Sequence, residues 1–225
     1  MMRRHLFLFL ALLVACGKGD GTGPTLPVQV PPGASFAQIT DSLETRGVIK
    51  FAPGFRIYAR LSGADARVRP GTYGFKKGQS WKSILADFRA GRVMTAKLVV
   101  PEGFSLDKIA RRIAEVSERD SAKILDLLTS DSVARKYGVP GPTLEGYLYP
   151  ATYDFPIRAH PDTVIKRMVT TYKRYWTPAR QARADSIKLS EREVITLASI
   201  VEKEAKRAEE MPTISSVYHN RLRIK

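Results

Sequence analysis

A seven-residue pattern, Gly-x-Ser-apolar-x-x-Ile, occurs three times in the chain, at residues 33–39, 78–84 and 103–109. Glycine permits a tight turn, serine caps the first turn of a helix, and the apolar residues begin the buried face of that helix. The first and third copies follow short β-prone runs at 28–30 and 98–100, so each predicts a strand–turn–helix unit. The three copies are unevenly spaced, which argues against a repeat array and favours the α+β class.

The second half of the chain is predicted to be mostly helical. Apolar residues recur at helical spacing over 105–116 and 162–176, and polar starts predict short helices at 120–128 and 132–137. Thr177 and Pro178 predict a helix start, and Ser190 with Glu193 forms the capping box of a helix that reaches about residue 208. A last helix is predicted over 212–222. The expected domains are therefore a small α+β module at 28–97 and a mainly helical α+β domain at 98–225.

The N-terminus predicts the compartment. Arg3 and Arg4 precede ten apolar residues, 6–15, and the single cysteine, Cys16, follows at once. This is a signal-peptide pattern, and it is shorter than the roughly 20 residues of a membrane span. Its end, LVAC, resembles a bacterial lipobox, which implies that 1–16 is a lipoprotein signal peptide and that Cys16 is lipidated. A short buried helix with an incidental cysteine is the alternative. Residues 17–27 hold four Gly and two Pro and predict a flexible tether.

The charge of the chain predicts an anionic partner. It has 37 Lys and Arg against 22 Asp and Glu, a net charge of +15. A secreted lipoprotein does not routinely meet nucleic acid, so we expect the partner in the envelope: phospholipid headgroups, anionic polymers or the peptide carboxylates of peptidoglycan. A basic surface that binds nothing specific is the alternative. One cysteine excludes an intramolecular disulfide, and with only three histidines it predicts no zinc site.

Two segments carry candidate functional residues. In the helix that starts at 191, Glu202 lies at the edge of an apolar face, beneath Ile195. A carboxylate there can be partly desolvated, as a general acid requires, although a solvated glutamate is the commoner case. Residues 144–155 hold four aromatic residues and two carboxylates, interrupted by Gly146 and Pro150. Such aromatic faces suit sugar rings in a wet cleft, or else pack a turn into the core.

Three segments together resemble one family. The runs LEGYLYPATY at 144–153, LASIVEKE at 197–204 and VYHNRL at 217–222 resemble, in this order, motifs of the endolytic murein transglycosylases, the YceG-like family. The run VPEG at 100–103 and a LysM-like unit before it also fit, so the resemblance covers 28–225. It implies an α+β enzyme that cuts peptidoglycan strands between MurNAc and GlcNAc and leaves 1,6-anhydroMurNAc ends.

The resemblance also implies roles for single residues. Glu202 takes the position of the family's catalytic glutamate, which protonates the leaving oxygen and then accepts the proton of the sugar's own C6 hydroxyl. Glu145, Tyr153 and Asn220 match motif positions and are expected to shape the substrate-binding cleft, with Ser199 as a nearby hydrogen-bonding group. No metal or cofactor is implied.

This chain departs from the family at both ends. The family carries an N-terminal membrane helix where this chain has the lipobox-like segment, and it continues past the third motif with a Gln-Thr-Asp-Pro segment, so the domain at 98–225 is expected to be incomplete at its C-terminus. A non-catalytic peptidoglycan-binding lipoprotein is therefore the second hypothesis. Both hypotheses imply a protein that is anchored in a membrane of the bacterial envelope and faces the periplasm or the outside. Both also imply that it binds glycan strands, and they leave open whether cell-wall synthases are partners.

Overall fold

The structure is a computed structural model, and it describes residues 21–63 and 68–224. The chain divides into two compact units, Met1–Thr95 and Ala96–Lys225. Helices and two-stranded sheets together build the described part, which confirms the α+β class. The predicted signal peptide with Cys16, and the start of the predicted tether, lie outside the described residues. Within the described ranges, no helix combines the length and the apolar character needed to cross a bilayer.

The described part of the first unit has a two-stranded antiparallel sheet and three helices. Strand β1 (Thr22–Val30) pairs antiparallel with β2 (Gly71–Lys77), with Val28 opposite Tyr73. Helices α1 (Phe36–Thr45), α2 (Ala52–Leu61) and α3 (Trp81–Ala90) contribute to the same apolar core. The largest side chains that are fully buried in this core are those of Leu43, Phe55, Tyr73, Phe75, Ile84, Leu85 and Phe88.

The predicted tether is corrected by β1. The strand starts at Thr22, so residues 22–27, which the sequence assigned to a flexible linker, belong to the sheet. Leu26 pairs with Phe75 and packs against the core. Pro24 and Pro27 lack an N–H, but a strand in a two-stranded sheet has one edge without a partner strand, where proline is tolerated. The proline and glycine content that suggested a linker is therefore compatible with an edge strand.

The three copies of the Gly-x-Ser pattern each form a turn before a helix. Their glycines, Gly33, Gly78 and Gly103, have φ values of 76°, 71° and 72°, the left-handed region in which a Cβ is disfavoured. The hydroxyls of Ser35 and Ser80 accept hydrogen bonds from backbone N–H groups three residues later, at Gln38 and Ser83. These turns and caps are as predicted.

The prediction that the third serine, Ser105, caps its helix with its side chain is wrong. Ser105 precedes α4 (Leu106–Ser117) but accepts no hydrogen bond from the backbone of that helix. Its hydroxyl instead donates to the carboxylate of Asp107 in the first helical turn. A hydroxyl can donate and accept at once, as Ser35 and Ser190 do, so the cap is lost because orientation toward Asp107 turns the Ser105 oxygen away from the helical N–H groups. The other two copies have no carboxylate at the matching position.

The second unit places helices around a second small sheet. Strand β3 (Thr95–Val100) pairs with β4 (Ala151–Pro156). The helices after α4 are α5 (Ser121–Thr129), α6 (Asp131–Lys136), α7 (Pro161–Tyr175), α8 (Pro178–Ser186), α9 (Glu191–Glu204) and α10 (Met211–Ile224), with a 3₁₀ turn at Ala208–Glu210. The strands, α4, α5 and α7 supply most of its core, which includes Leu98, Ile113, Ile124, Leu128, Leu144, Val164, Ile165 and Met168.

Helix α9 begins as predicted and ends earlier. Ser190 accepts from the backbone N–H of Glu193, and the Glu193 carboxylate accepts from the backbone N–H of Ser190, which confirms the capping box. The helix stops at Glu204 instead of near residue 208, because Ala205 adopts an extended conformation. The apolar face of α9 is only partly covered: Val201 is buried, whereas Ala198 is exposed.

Candidate active site

A cleft of about 590 Å³ lies against one side of α9 in the second unit. The end of β3, the turn after it and the start of α4 form one wall, the loop before β4 forms another, and α9 forms the third. From these three segments come Val100, Pro101, Phe104 and Ile109; Gly141, Pro142, Thr143 and Leu148; and Ile195, Thr196 and Ile200, among others. Each wall contains part of a motif noted in the sequence, so the fold brings the motifs into one place.

Gly146 lets the loop before β4 approach α9. Its φ is +83°, and a Cβ built there would lie 2.4 Å from Cγ2 of Ile195, well inside van der Waals contact. A side chain at this position would push the loop away from the helix or strain the backbone. The glycine in the 144–153 motif therefore has a structural reason, which is the close approach of two cleft walls.

Gly103 places a second backbone segment next to Glu202. A Cβ at Gly103 would lie 3.9 Å from both Cγ and Oε1 of Glu202. The glutamate side chain therefore extends from α9 toward the turn that follows β3. The short VPEG run, which is unremarkable as a local pattern, forms the part of the cleft that faces this carboxylate.

Glu202 is half-buried and lines the cleft. Within residues 21–63 and 68–224, its carboxylate takes part in no hydrogen bond or ion pair. It also borders a second, more apolar groove of about 430 Å³ on the other side of α9, where Leu197, Val201, Met211 and His219 lie. A carboxylate that is partly shielded and has no protein partner is free to exchange a proton with a bound molecule.

Two further predicted site residues line the same cleft as Glu202. Glu145 is exposed, and its backbone N–H donates to the hydroxyl of Thr143 at 3.2 Å. Ser199 is also exposed, and its hydroxyl donates to the carbonyl of Thr196 at 2.8 Å. The structure therefore brings Glu202, Glu145 and Ser199 together, from two separate motifs.

The structure does not bring Tyr153 or Asn220 into the lining of this cleft. Tyr153 is 7% exposed and lies in the core of the second unit. Its hydroxyl donates to the carbonyl of Tyr149 at 2.6 Å, and burial raises its pKa. Tyr153 therefore stabilises the end of the 144–153 loop from the core, through its hydrogen bond to Tyr149. Asn220 is exposed on α10, and its neighbour His219 borders the second groove.

Sequence reasoning missed two cationic residues of the cleft, whereas Tyr147 belongs to the aromatic residues of 144–155 that it named. Arg192 and Lys203 lie on α9 in line with Thr196 and Ser199, at the i, i+4, i+7, i+11 spacing of one helix face. The same periodicity that revealed the apolar face could have revealed this polar stripe. Tyr147, from the opposite wall, is 2% exposed and packs edge-on against Tyr172, with ring centroids 5.3 Å apart.

The described residues include no group of three or more His, Cys, Asp or Glu side chains placed to hold a metal ion. The reactive groups that this chain itself supplies to the cleft are therefore carboxylates, hydroxyls and two cationic side chains.

The fold and the site together define an α+β protein whose cleft is lined by a partly shielded glutamate, hydroxyl groups and two cationic side chains. The sequence model of the YceG-like family matches residues 28–225. The chain belongs to this family, which confirms the resemblance carried by the three motifs.

The names of similar proteins agree with this assignment. The chain is 28% identical to a protein of Streptococcus pneumoniae and 29% identical to one of Bacillus subtilis, each named endolytic murein transglycosylase, over 87% and 89% of its own length. It spans 40% and 60% of those two relatives. A crystal structure of a YceG-like protein from Listeria monocytogenes is similar to it, with 29% identity and a TM-score of 0.50 over 89% of this chain and 71% of that one.

Proposed function

We propose that this chain is an endolytic peptidoglycan transglycosylase that cuts glycan strands between MurNAc and GlcNAc. The observation that carries the proposal is Glu202, a half-buried carboxylate with no partner among the described residues, which faces the Gly103 turn across a cleft. Family membership and the names of the relatives from S. pneumoniae and B. subtilis support the substrate class.

In the proposed reaction Glu202 acts first as an acid and then as a base. Its carboxyl proton moves to the oxygen that links C1 of MurNAc to GlcNAc, and the C1–O bond breaks. The resulting carboxylate then takes the proton of the MurNAc C6 hydroxyl while that oxygen bonds to C1. The products are a GlcNAc hydroxyl and a 1,6-anhydroMurNAc end. The proton returns to Glu202, and no water is consumed.

This route needs one carboxylate instead of the pair used by ordinary glycosidases, in which the second is a nucleophile or activates water. Glu145 lies in the same cleft, on the wall opposite α9, and we assign it to hydrogen bonding with sugar hydroxyl or amide groups. Ser199 has its hydroxyl oxygen available as an acceptor, because its proton is already donated to Thr196. The cleft walls from both loops would exclude water from the reacting bond.

The test is a digest of purified peptidoglycan by the wild-type chain and by two variants, Glu202→Gln and Glu204→Gln, read by mass spectrometry for 1,6-anhydroMurNAc ends. Glu204 is the matched control, because it is an exposed glutamate on the same helix and does not line the cleft. We expect anhydro ends from the wild type and from Glu204→Gln. For Glu202→Gln we expect their rate of formation to fall by about 100-fold or more. Equal activity of the two variants would refute the role of Glu202. Binding without cleavage by the wild type would favour the non-catalytic hypothesis.

We further propose that lipidation of Cys16 anchors the protein in the bacterial envelope and that the first unit is a LysM-like glycan-binding module. The support is the LVAC sequence after ten apolar residues and, for the module, the Gly-x-Ser pattern with its turn and cap geometry.

A further inference from the structure

Two cations in the cleft have no counter-ion within the described part of the chain. Arg192 and Lys203 are exposed, line the cleft, and form no ion pair there. A cationic side chain on a helix surface can pair with a carboxylate at i+3 or i+4, as Arg112 does with Glu115. The two cleft cations are therefore available to a ligand.

The two carboxylates that flank Arg192 in the sequence are engaged elsewhere. Glu191 accepts a hydrogen bond from the hydroxyl of Tyr172 at 2.6 Å. Glu193 accepts from both the backbone N–H and the hydroxyl of Ser190, at 2.8 Å and 2.7 Å. Arg192 lies between these two acids in sequence and is neutralised by neither. The first turn of α9 thus presents a positive group to the cleft.

A buried hydroxyl lies in the same part of the cleft. The Tyr147 hydroxyl is buried and has no hydrogen-bond partner in the described residues, although Tyr147 lines the cleft. Burial and the charge of Glu191 raise the pKa of this hydroxyl, while the charge of Arg192 lowers it, so the hydroxyl stays protonated at neutral pH. An unsatisfied buried donor costs free energy, but this hydroxyl has almost no accessible surface, so the groups that a ligand in the cleft can reach are the exposed Arg192 and Lys203.

We propose that Arg192 and Lys203 bind carboxylates of the substituent that MurNAc carries, and so select substituted strands over plain glycan. The inference rests on the proposed function, because it takes peptidoglycan as the ligand. GlcNAc polymers are uncharged, whereas each MurNAc bears a lactyl group that either ends in a carboxylate or continues into a peptide stem with carboxylates of its own. Carboxylate is the shared chemistry of these two sources.

The positions of the two cations fit a strand that lies along α9. Lys203 follows Arg192 by eleven residues, which corresponds to about 16 Å along the helix and about 20° around it. Glu202 lies beside the Lys203 end of this stripe. A strand whose reacting bond is at Glu202 therefore has one cation next to the bond and a second cation farther along the same wall.

The test measures equilibrium binding with the full chain that carries Glu202→Gln, so that the ligand is not consumed. Three soluble ligands are compared: glycan strands with peptide stems, the same strands after amidase treatment, which leaves free lactyl carboxylates, and neutral chitin oligosaccharides. Arg192→Gln and Lys203→Gln are added singly. Arg183→Gln is the control, because Arg183 is an exposed arginine of α8 that does not line the cleft.

We expect each cleft variant to raise Kd for peptide-bearing strands about two- to fivefold at low salt, with no change for chitin oligosaccharides. The same rise with amidase-treated strands would identify the lactyl carboxylate, and a rise with peptide-bearing strands alone would identify the stem. The proposal is overturned if Kd does not change, if it changes equally for neutral ligands or for Arg183→Gln, or if the parent chain binds none of them. Cleavage by the wild-type chain is scored separately, so a charge-independent Kd refutes this inference without refuting the enzyme.

Discussion

Replacing Gly146 with alanine tests whether the close approach of the motif loop to α9 holds the cleft together. The new Cβ would lie 2.4 Å from Cγ2 of Ile195, and the backbone has a φ of +83°. The left-handed backbone costs an L-residue about 1–2 kcal/mol, and overpacking against a side chain costs about 1–3 kcal/mol. We expect Gly146→Ala to lower the free energy of unfolding of the second unit by about 2–5 kcal/mol.

A second glycine of the same unit separates the two contributions. Gly138 has a φ of +59°, but a Cβ there would meet only the terminal Nζ of Lys173, at 3.3 Å. That Nζ donates to the carbonyl of Tyr137 at 2.6 Å, but the side chain is exposed and can exchange this bond for one to water, so Gly138→Ala should show mainly the backbone cost, about 1–2 kcal/mol. The difference between the two variants measures the contact with Ile195.

Ile195→Ala provides the direct test of that contact. It removes Cγ2 and leaves the Ile195 Cβ position at 3.9 Å from the new methyl group, an ordinary contact. The double variant should therefore be more stable than the sum of the single effects by about 1–3 kcal/mol. Urea unfolding can be followed by fluorescence of Trp176, whose indole N–H donates to Gln181, in a Trp81→Phe background that silences the first unit. Additive effects, or equal losses for Gly146→Ala and Gly138→Ala, would refute the contact.

Three further predictions concern helix capping, acid stability and anchoring. Ser190→Ala removes the capping box of α9 and should cost about 1 kcal/mol in urea unfolding; no loss would show that the cap is dispensable. Hydrogen bonds from Lys136 and Tyr137 lower the pKa of Asp162, so its stabilisation is present at neutral pH and is lost as the pH falls below about 4 through the lowered value. Asp162→Asn should therefore be less stable than the wild type at pH 7, by less than about 1 kcal/mol for this partly exposed group, and the difference should vanish in acid. Cys16→Ser should move the protein from the detergent phase to the aqueous phase in a partition assay, and continued partitioning into detergent would count against lipidation.

Local rules predicted the parts of the fold that depend on neighbours in sequence. The turn glycines at 33, 78 and 103 and the Ser190–Glu193 box need only a few residues, and the structure contains each of them. The same rules failed at Ser105, where the hydroxyl is oriented toward a nearby carboxylate, and at residues 22–27, where pairing with β2 decides the conformation. The glycine and proline content of residues 22–27 does not show that they pair with a strand about 50 residues later.

The candidate site shows a similar limit. Motif position led to Glu202, Glu145 and Ser199, which the fold gathers into one cleft. It also led to Tyr153, whose side chain points into the core, because a motif records that a residue matters and not whether it contacts ligand or packs behind it. Arg192 lies outside the three motifs, and only the line of side chains along α9 shows that it shares the cleft.

In the cleft, two glycines set the backbone spacing and exposed side chains of α9 face the open space. The two kinds of position therefore respond differently to substitution. Gly103 and Gly146 bring main chain close to α9, and at these two positions substitution disturbs the framework. The stripe on α9 instead projects exposed side chains from a helix that already has its cap and its backbone bonds. Exchanges at positions 192, 196 and 203 should therefore cost little stability. If Arg192 and Lys203 bind substrate carboxylates as proposed, this helix face is the starting point for engineering variants with different strand selectivity.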